Sequence, residues 1–478
     1  MTSVQVDEQH DGNEAAQGET DEGYKRGLGA RQIQMIAIGG AIGTGLFLGA
    51  GKGISKAGPS LILAYAVAGV VIFCIMRALG ELLMYRPVSG SFSEYAREFI
   101  GPFAGFATGW TYWLFWVITG MTEVTAAATY MTYWWAIPQW VSALVFTVIL
   151  YGANLISVKL FGELEFWFST VKVTAIIGMI LICAGILTIG FSDAGDTASI
   201  THLWDVGGFF AGENGIGSTL MTLQMVMFAF LAVELVGVTA GEAKDAKKVL
   251  PKAINTVPWR IAVFYVGALI MILSVVPWTS FKAGESPFVH AFDKMGLGIG
   301  AAIVNFVVLT AALSSCNSGM YSTGRMLRDL AQNGQGPNFF TKLSKNGLPV
   351  IGTTFSAAMM LVGVWINYQW PGEAFNYVVS FATISGMWAW IVILICQIRY
   401  RLKSDRGELP KSDFRAPWGV WVSGLALAFI FLVIVLMGID PDARVSLYAA
   451  PVWAAILGVS YFFLKKRNPE GAAFAKRN

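Results

Sequence analysis

Twelve apolar runs, each close to the length of a membrane-spanning helix, constrain this chain more than any other feature. They lie near residues 33–54, 59–85, 103–134, 138–156, 163–190, 215–240, 257–280, 298–327, 350–368, 374–399, 418–438 and 447–465. A span needs about 20 apolar residues to cross ~30 Å of hydrocarbon at 1.5 Å per residue. Barrel strands would instead give ~10-residue alternating segments. Only 13% of the 478 residues are charged, against about a quarter in ordinary soluble domains. Too few charges remain to coat a soluble surface of this size. The four cysteines (Cys74, Cys183, Cys316, Cys396) fall inside apolar runs and read as small buried residues rather than a disulfide framework. The expected fold is an all-α polytopic membrane protein with 12 transmembrane helices.

The placement of charge sets an orientation. With the N-terminus inside, 27 of the 33 Lys and Arg fall on the inner side, and only Lys52, Lys56, Lys282, Lys294 and Arg444 on the outer. Both termini are expected to be cytoplasmic. Residues 1–24 carry seven acids and no Lys or Arg, which reads as a disordered, solvated cytoplasmic tail with no signal peptide. Residues 25–467 form the transmembrane domain, and 468–478 a second cytoplasmic tail.

Two spans resist a plain helical reading. In the first, Gly39, Gly40, Gly43, Gly45, Gly49 and Gly51 crowd into thirteen residues, and each costs about 1 kcal/mol of helix propensity against Ala. Two readings stand open. The pairs Gly39/Gly43 and Gly45/Gly49 suit close helix packing. Alternatively the helix breaks near Ile42–Gly45, freeing amides and a dipole end for a carboxylate at the bilayer midplane. The sixth span lacks such a cluster but carries Glu234, ~10 Å from its inner end. The first and sixth spans occupy matching places if the chain is two five-span halves of opposite topology.

Ionisable groups in the lipid zone cost at least ~2.5–3.5 kcal/mol each and call for a reason. Lys172 lies nine residues into the fifth span, ~13 Å deep, and can snorkel only part of the way. It reads as a proton-loading group or as a structural snorkeller. Glu123 in the third span and Glu234 in the sixth are each either functional or locked by local hydrogen bonds. Arg77 and Glu81, four residues apart, are expected to form a structural ion pair. All three histidines (His10, His202, His290) lie in the tail or outer loops, so no histidine relay is expected. Ser314-Ser315-Cys316-Asn317-Ser318 of the eighth span either bond back to their own helix or form a polar face toward span one and Lys172. The run Trp110-Thr-Tyr-Trp-Leu-Phe-Trp116 anchors the third helix or walls a cavity.

The segment Ile38-Gly-Gly-Ala-Ile-Gly-Thr-Gly-Leu-Phe47 resembles the first-helix signature of the amino acid permeases of the amino acid–polyamine–organocation superfamily. Phe92-Ser-Glu-Tyr-Ala96, Phe161-Gly-Glu-Leu-Glu-Phe-Trp-Phe168, Phe228-Ala-Phe-Leu-Ala-Val-Glu-Leu-Val-Gly237, Leu250-Pro-Lys-Ala-Ile-Asn255 and Asn305-Phe-Val-Val-Leu-Thr-Ala-Ala-Leu-Ser-Ser315 resemble its bacterial amino acid transporter branch. Gly109-Trp-Thr-Tyr-Trp113 and Glu234-Leu-Val-Gly-Val-Thr239 look most like the D-serine/D-alanine/glycine permeases, while Thr122-Glu-Val-Thr-Ala126 also resembles aromatic amino acid permeases.

The resemblance implies a five-plus-five inverted repeat with discontinuous helices one and six, plus two peripheral helices. It implies import of a small neutral amino acid by proton symport. The substrate carboxylate would meet the amides of Gly43, Thr44 and Gly45, next to Ile42. The ammonium would meet carbonyls of Phe228, Ala229 and Leu231, with Phe228 or Phe230 as an aromatic lid. Glu123 stands where relatives hold an Asp, and the extra methylene would narrow the pocket. Lys172 would carry the proton, with Glu234 and Ser315 in the coupling machinery. The alternatives are an aromatic or other neutral L-amino acid permease, or an amino acid exchanger on the same fold. No nucleophile–base pair, zinc spacing or catalytic domain is visible, so no enzyme, cofactor, metal or nucleic-acid partner is expected. The expected partners are an amino acid, protons and the bilayer of the cytoplasmic (inner) membrane.

Overall fold

The computed structural model describes residues 42–86, 91–156, 158–195, 197–235 and 246–469, and these form helices with no strand among them. The acidic tail, Gly39, Gly40 and the Gly237–Thr239 part of the permease-like motif lie outside the described residues.

The chain enters with Ile42 and Gly43 out of helical structure and then winds into a π-helical turn, Gly45–Gly49, that continues as Ala50–Ala57 (together α1). Next come α2 (Leu61–Tyr85), the short amphipathic α3 (Ser91–Phe99), α4 (Pro102–Met131), α5 (Gln139–Asn154) and α6 (Val158–Ile189). The segments Ile216–Met221 and Leu223–Phe230 make α7, followed by α8 (Ala246–Asn255). Val257–Ile261, the π-helical Ala262–Gly267 and Ala268–Val275 run on as α9. Then α10 (Pro287–Lys294), α11 (Gly298–Gln332), α12 (Val350–Gln369), α13 (Ala374–Asp405), α14 (Val420–Ile439) and α15 (Arg444–Arg467) complete the bundle.

Eight helical stretches among the described residues are long and apolar enough to cross a membrane, and Gln139–Asn154 and Ile216–Phe230 are shorter apolar helices. Each apolar run in the sequence is helical over most of its described length, with Ile42–Gly43 and residues 132–134 and 231–234 among the exceptions. Continuous apolarity without a Pro in the middle leaves the backbone no cheaper way to satisfy its amides in hydrocarbon.

Among the described residues, helices α4 and α11 make the most extensive packing, and α13 also lies against α4. The tryptophan-rich part of α4 packs rather than walls an opening. Trp113 Nε1 donates to Ser356 Oγ at 3.0 Å, and Trp110 Nε1 to the Gln335 carbonyl at 3.2 Å. By contrast α15 leaves nearly all its apolar surface exposed, with Tyr448, Val452, Val459 and Phe462 facing outward. An apolar exterior of this kind suits lipid, not water.

The two ends of the bundle are marked by different ion pairs. At one end Lys52 of α1 reaches Asp442 at 2.8 Å and Lys56 reaches Asp440 at 3.1 Å, tying α1 to the α14–α15 turn. At the other end Glu81 of α2 is wholly buried and is gripped by Arg401 of α13 through two bonds of 2.7 and 2.6 Å. Gln397 Nε2 and the Ala416 amide complete its shell at 2.9 and 3.0 Å. The expected Arg77–Glu81 pair is therefore corrected. Arg77 turns instead to Asn255 Oδ1 and the Arg415 carbonyl, over the Phe414 ring. Helical spacing gave Arg77 proximity, but a planar fork arriving from α13 satisfies both carboxylate oxygens at once.

Candidate functional site

The site forms where α1 and α7 cross. Both are irregular there. Helix α1 starts only at Thr44, and Leu46 and Phe47 both donate to the Gly43 carbonyl, at 3.3 and 3.4 Å. Helix α7 stops at Phe230: Leu231 turns to ψ 155° and Ala232 takes φ 72°, a left-handed conformation that non-glycine residues seldom adopt. Residues 231–234 are turn, not helix. The interruption of the sixth span thus exists without glycine.

The crossing is backbone against backbone. A Cβ on Gly45 would sit on Ala229 Cα and 2.8 Å from its Cβ and N, and one on Gly49 would sit 2.7 Å from Met225 Sδ. Gly45 faces Ala229 and Gly49 faces Met225, so a step of four along α1 matches a step of four back along α7. This is antiparallel packing in a fixed register. Two tyrosines lock it from behind. Tyr65 of α2 donates to the Gly45 carbonyl at 3.4 Å, and Tyr265 of α9 to the Ala229 carbonyl at 3.1 Å. The Phe228 carbonyl accepts from the Leu231 amide at 3.1 Å. Phe230 is held between Tyr65 and Tyr265, with ring centroids at 5.8 and 4.8 Å. Phe228 meets Phe375 edge-on at 6.5 Å, and Phe375 lines an adjoining cavity. Of the two candidate lid rings, Phe228 touches the cavity-lining Phe375 and Phe230 is packed into an aromatic cluster.

Against the Gly43 part of the junction stand Glu123 of α4 and Ser315 of α11. A Cβ on Gly43 would lie 3.2 Å from Glu123 Oε1 and 3.7 Å from Ser315 Oγ. Glu123, Thr44 and Ile42 are all buried. The Glu123 carboxyl lies against Ser315 and against the side chain and backbone of Thr44. From the Lys52 end, two neighbouring cavities of about 340 and 310 Å³ share Leu48, Thr129 and Gly284 in their walls. The larger reaches Thr125, two residues from Glu123.

Behind the junction, Lys172 of α6 is wholly buried. Its Nζ donates to the Ile42 carbonyl at 3.3 Å and to Ser314 Oγ at 3.2 Å. Of the two readings of the eighth span, the polar face toward span one and Lys172 holds for Ser314. Asn317 of the same face accepts from Asn154 at 2.8 Å, so part of this face also ties α11 to α5. Ser314 Oγ further bonds both oxygens of Glu165, at 2.9 Å each. Glu165 went unremarked as a site residue, although it lies seven residues from Lys172 on the same helix; that i, i+7 spacing of two ionisable groups was the available signal. Glu234 is the last residue of the turn that follows α7. It accepts from Tyr112 Oη at 3.3 Å and from Trp390 Nε1 at 3.1 Å. It fastens the turn of α7 to α4 and α13.

A helix that begins at Thr44 meets one that breaks off after Phe230 inside an apolar bundle, beside buried polar groups, an arrangement suited to a secondary transporter. The chain belongs to the amino acid permease family, whose model matches residues 32–471. A Bacillus subtilis protein named a probable threonine/serine transporter is 46% identical, with 92% of this chain and 94% of its own covered. An L-asparagine permease of Escherichia coli is 43% identical over 94% of this chain and 91% of its own. A D-serine/D-alanine/glycine transporter of Escherichia coli is 44% identical over 95% and 96%. The three identities lie so close that they do not separate substrates.

Proposed function

We propose that this chain is a multi-pass permease of the cytoplasmic membrane that imports a small neutral amino acid, of the alanine, serine or glycine type, together with a proton. Its architecture is read as twelve spans: an inverted pair of five-helix halves, interrupted in α1 and α7, plus the peripheral α14 and α15. The Lys52 end faces outward and both termini face the cytoplasm, in keeping with the positive-inside count.

The observation that carries this reading is the close α1–α7 crossing, with the start of α1 at Gly43–Thr44 set beside Glu123 and Ser315 and the end of α7 turned out of helix. A zwitterion suits it. The carboxylate takes the amide-rich start of α1 at Gly43, Thr44 and Gly45, where the helix dipole is positive. The ammonium takes the carbonyls at the end of α7, from Phe228, Ala229 and Leu231. The Ala229 carbonyl already accepts one bond from Tyr265 and keeps a second lone pair. Phe228 closes over the substrate from the cavity side. Glu123 limits the side-chain pocket, favouring small substrates.

Lys172 couples transport to protons. Protonated, it holds the Ile42 carbonyl and Ser314, tying the start of α1 to α6 and α11 and closing the outer path. Deprotonation loosens that tie as substrate leaves inward. In proteoliposomes with an imposed pH gradient, the native protein concentrates labelled glycine, and Lys172→Ala does not; accumulation by that variant overturns the proton assignment. Competition by D-alanine, D-serine and L-alanine is expected to exceed that by L-phenylalanine. Strong competition by L-phenylalanine alone moves the chain to the aromatic permeases.

A further inference from the structure

We propose that Glu165 is a second proton-carrying residue, joined to Lys172 through the Ser314 hydroxyl, and that it receives the proton Lys172 releases. This rests on the proton-coupled reading above and adds its inward route.

Three wholly buried groups are linked by hydrogen bonds, with Ser314 between the other two. Ser314 Oγ is 3.2 Å from Lys172 Nζ and 2.9 Å from each Glu165 oxygen. Ser169 adds a weaker contact to Glu165 Oε1 at 3.4 Å. The ionisable groups around Lys172 are Glu165 on its own helix, Glu123 of α4 and Arg260 of α9. Among these, Glu165 is the one bridged to Lys172 by a shared hydroxyl.

A hydroxyl both accepts and donates, which a simple counter-ion contact does not require. The transfer balances as follows. A Lys172 N–H bond breaks as its proton bonds Ser314 Oγ. The original Ser314 O–H breaks as its proton bonds Glu165. Lysine ends as a neutral amine, serine is regenerated, and the carboxylate ends as a neutral acid. No oxidant or co-reactant is needed. The two residues are seven apart, about 10 Å along the helix axis. Glu165 lies toward the Val158 end of α6, the cytoplasmic end in the proposed orientation. The proton therefore moves inward, and Lys172 loses its charge without a bare charge being left in the interior.

The test uses the full chain in liposomes with a pH-sensitive dye inside, with labelled glycine and, in parallel, glycine counterflow without a gradient. Ser314→Ala keeps both charges and removes the bridge; Glu165→Asp keeps the acid. With Ser314→Ala or Glu165→Gln, the expected result is a fall in the accumulation ratio toward 1 and loss of substrate-linked acidification, with counterflow lowered much less than accumulation. Glu165→Asp is expected to restore part of the acidification. Native-like accumulation and acidification in Ser314→Ala overturn the relay and leave Glu165 a plain counter-ion. If the native protein runs counterflow but neither accumulates glycine nor moves protons, the proton-coupled reading itself falls, and the relay with it.

Discussion

Replacing Gly45 by alanine tests the helix crossing through a single methyl group. The new Cβ would lie 2.8 Å from Ala229 Cβ and N, where carbon atoms ordinarily rest about 3.5–4.0 Å apart. The overlap is roughly 1 Å, and it is against backbone, so no side chain can swing away. Overpacking of this kind costs about 1–3 kcal/mol. The gain in helix propensity offsets about 1 kcal/mol of it. The remaining loss of stability is small, but α1 must move about 1 Å away from α7, and the groups that bind the substrate sit on both. A loss of ~1.4 kcal/mol in binding is already tenfold in affinity. The matched control is Gly178→Ala on α6, where an added Cβ meets nothing within 4 Å. Initial rates of labelled glycine uptake and thermal unfolding in detergent are measured for both. Gly45→Ala is expected to lose at least tenfold in uptake with only a modest fall in Tm, and Gly178→Ala to match or slightly exceed the native protein. If the two variants behave alike in both assays, α1 and α7 do not meet at Gly45.

Three further outcomes follow from other contacts. Glu81→Gln leaves Arg401 buried without its counter-charge and is expected to cost about 3–5 kcal/mol; adding Arg401→Met should recover much of it, read as folded yield and Tm. Ala232→Gly relieves a positive φ and is expected to keep or slightly raise Tm, whereas Ala232→Val, with a branched side chain at that φ, should lower uptake and stability. At the Lys52 end, the hydrogen bond from Lys52 holds the Asp442 carboxyl below the usual carboxylate range. That depressed value means its stabilisation is present above the normal carboxylate pKa and is lost as pH falls through the lower, folded one. The pair is partly exposed, so about 0.2–1 kcal/mol is at stake. Asp442→Asn should therefore lower Tm slightly near neutral pH and narrow its gap to the native protein in acid.

Local pattern carried most of the fold. Apolar run length located the helices, because hydrocarbon leaves a backbone few alternatives. The glycine-rich start of α1 marked the irregular chain at Ile42–Gly43. The end of α7 left no such mark: Phe-Leu-Ala-Val-Glu is ordinary helical sequence. What ends the helix is tertiary, with Tyr112 and Trp390 gripping Glu234 and Tyr265 holding the Ala229 carbonyl. The Arg77–Glu81 expectation failed for the same reason, since Arg401 arrives from 320 residues away in sequence. Glu165 was visible within a quoted motif, but its tie to Lys172 depends on Ser314 from a different helix.

The most direct measurement is inhibition of labelled L-alanine or glycine uptake, in proteoliposomes, by alaninamide and by propionate. One analogue lacks the carboxylate, the other the ammonium. Each is expected to inhibit at least tenfold more weakly than alanine itself, because each leaves one helix end unmatched. If alaninamide inhibits as well as alanine, the start of α1 does not hold a carboxylate and the central claim is wrong.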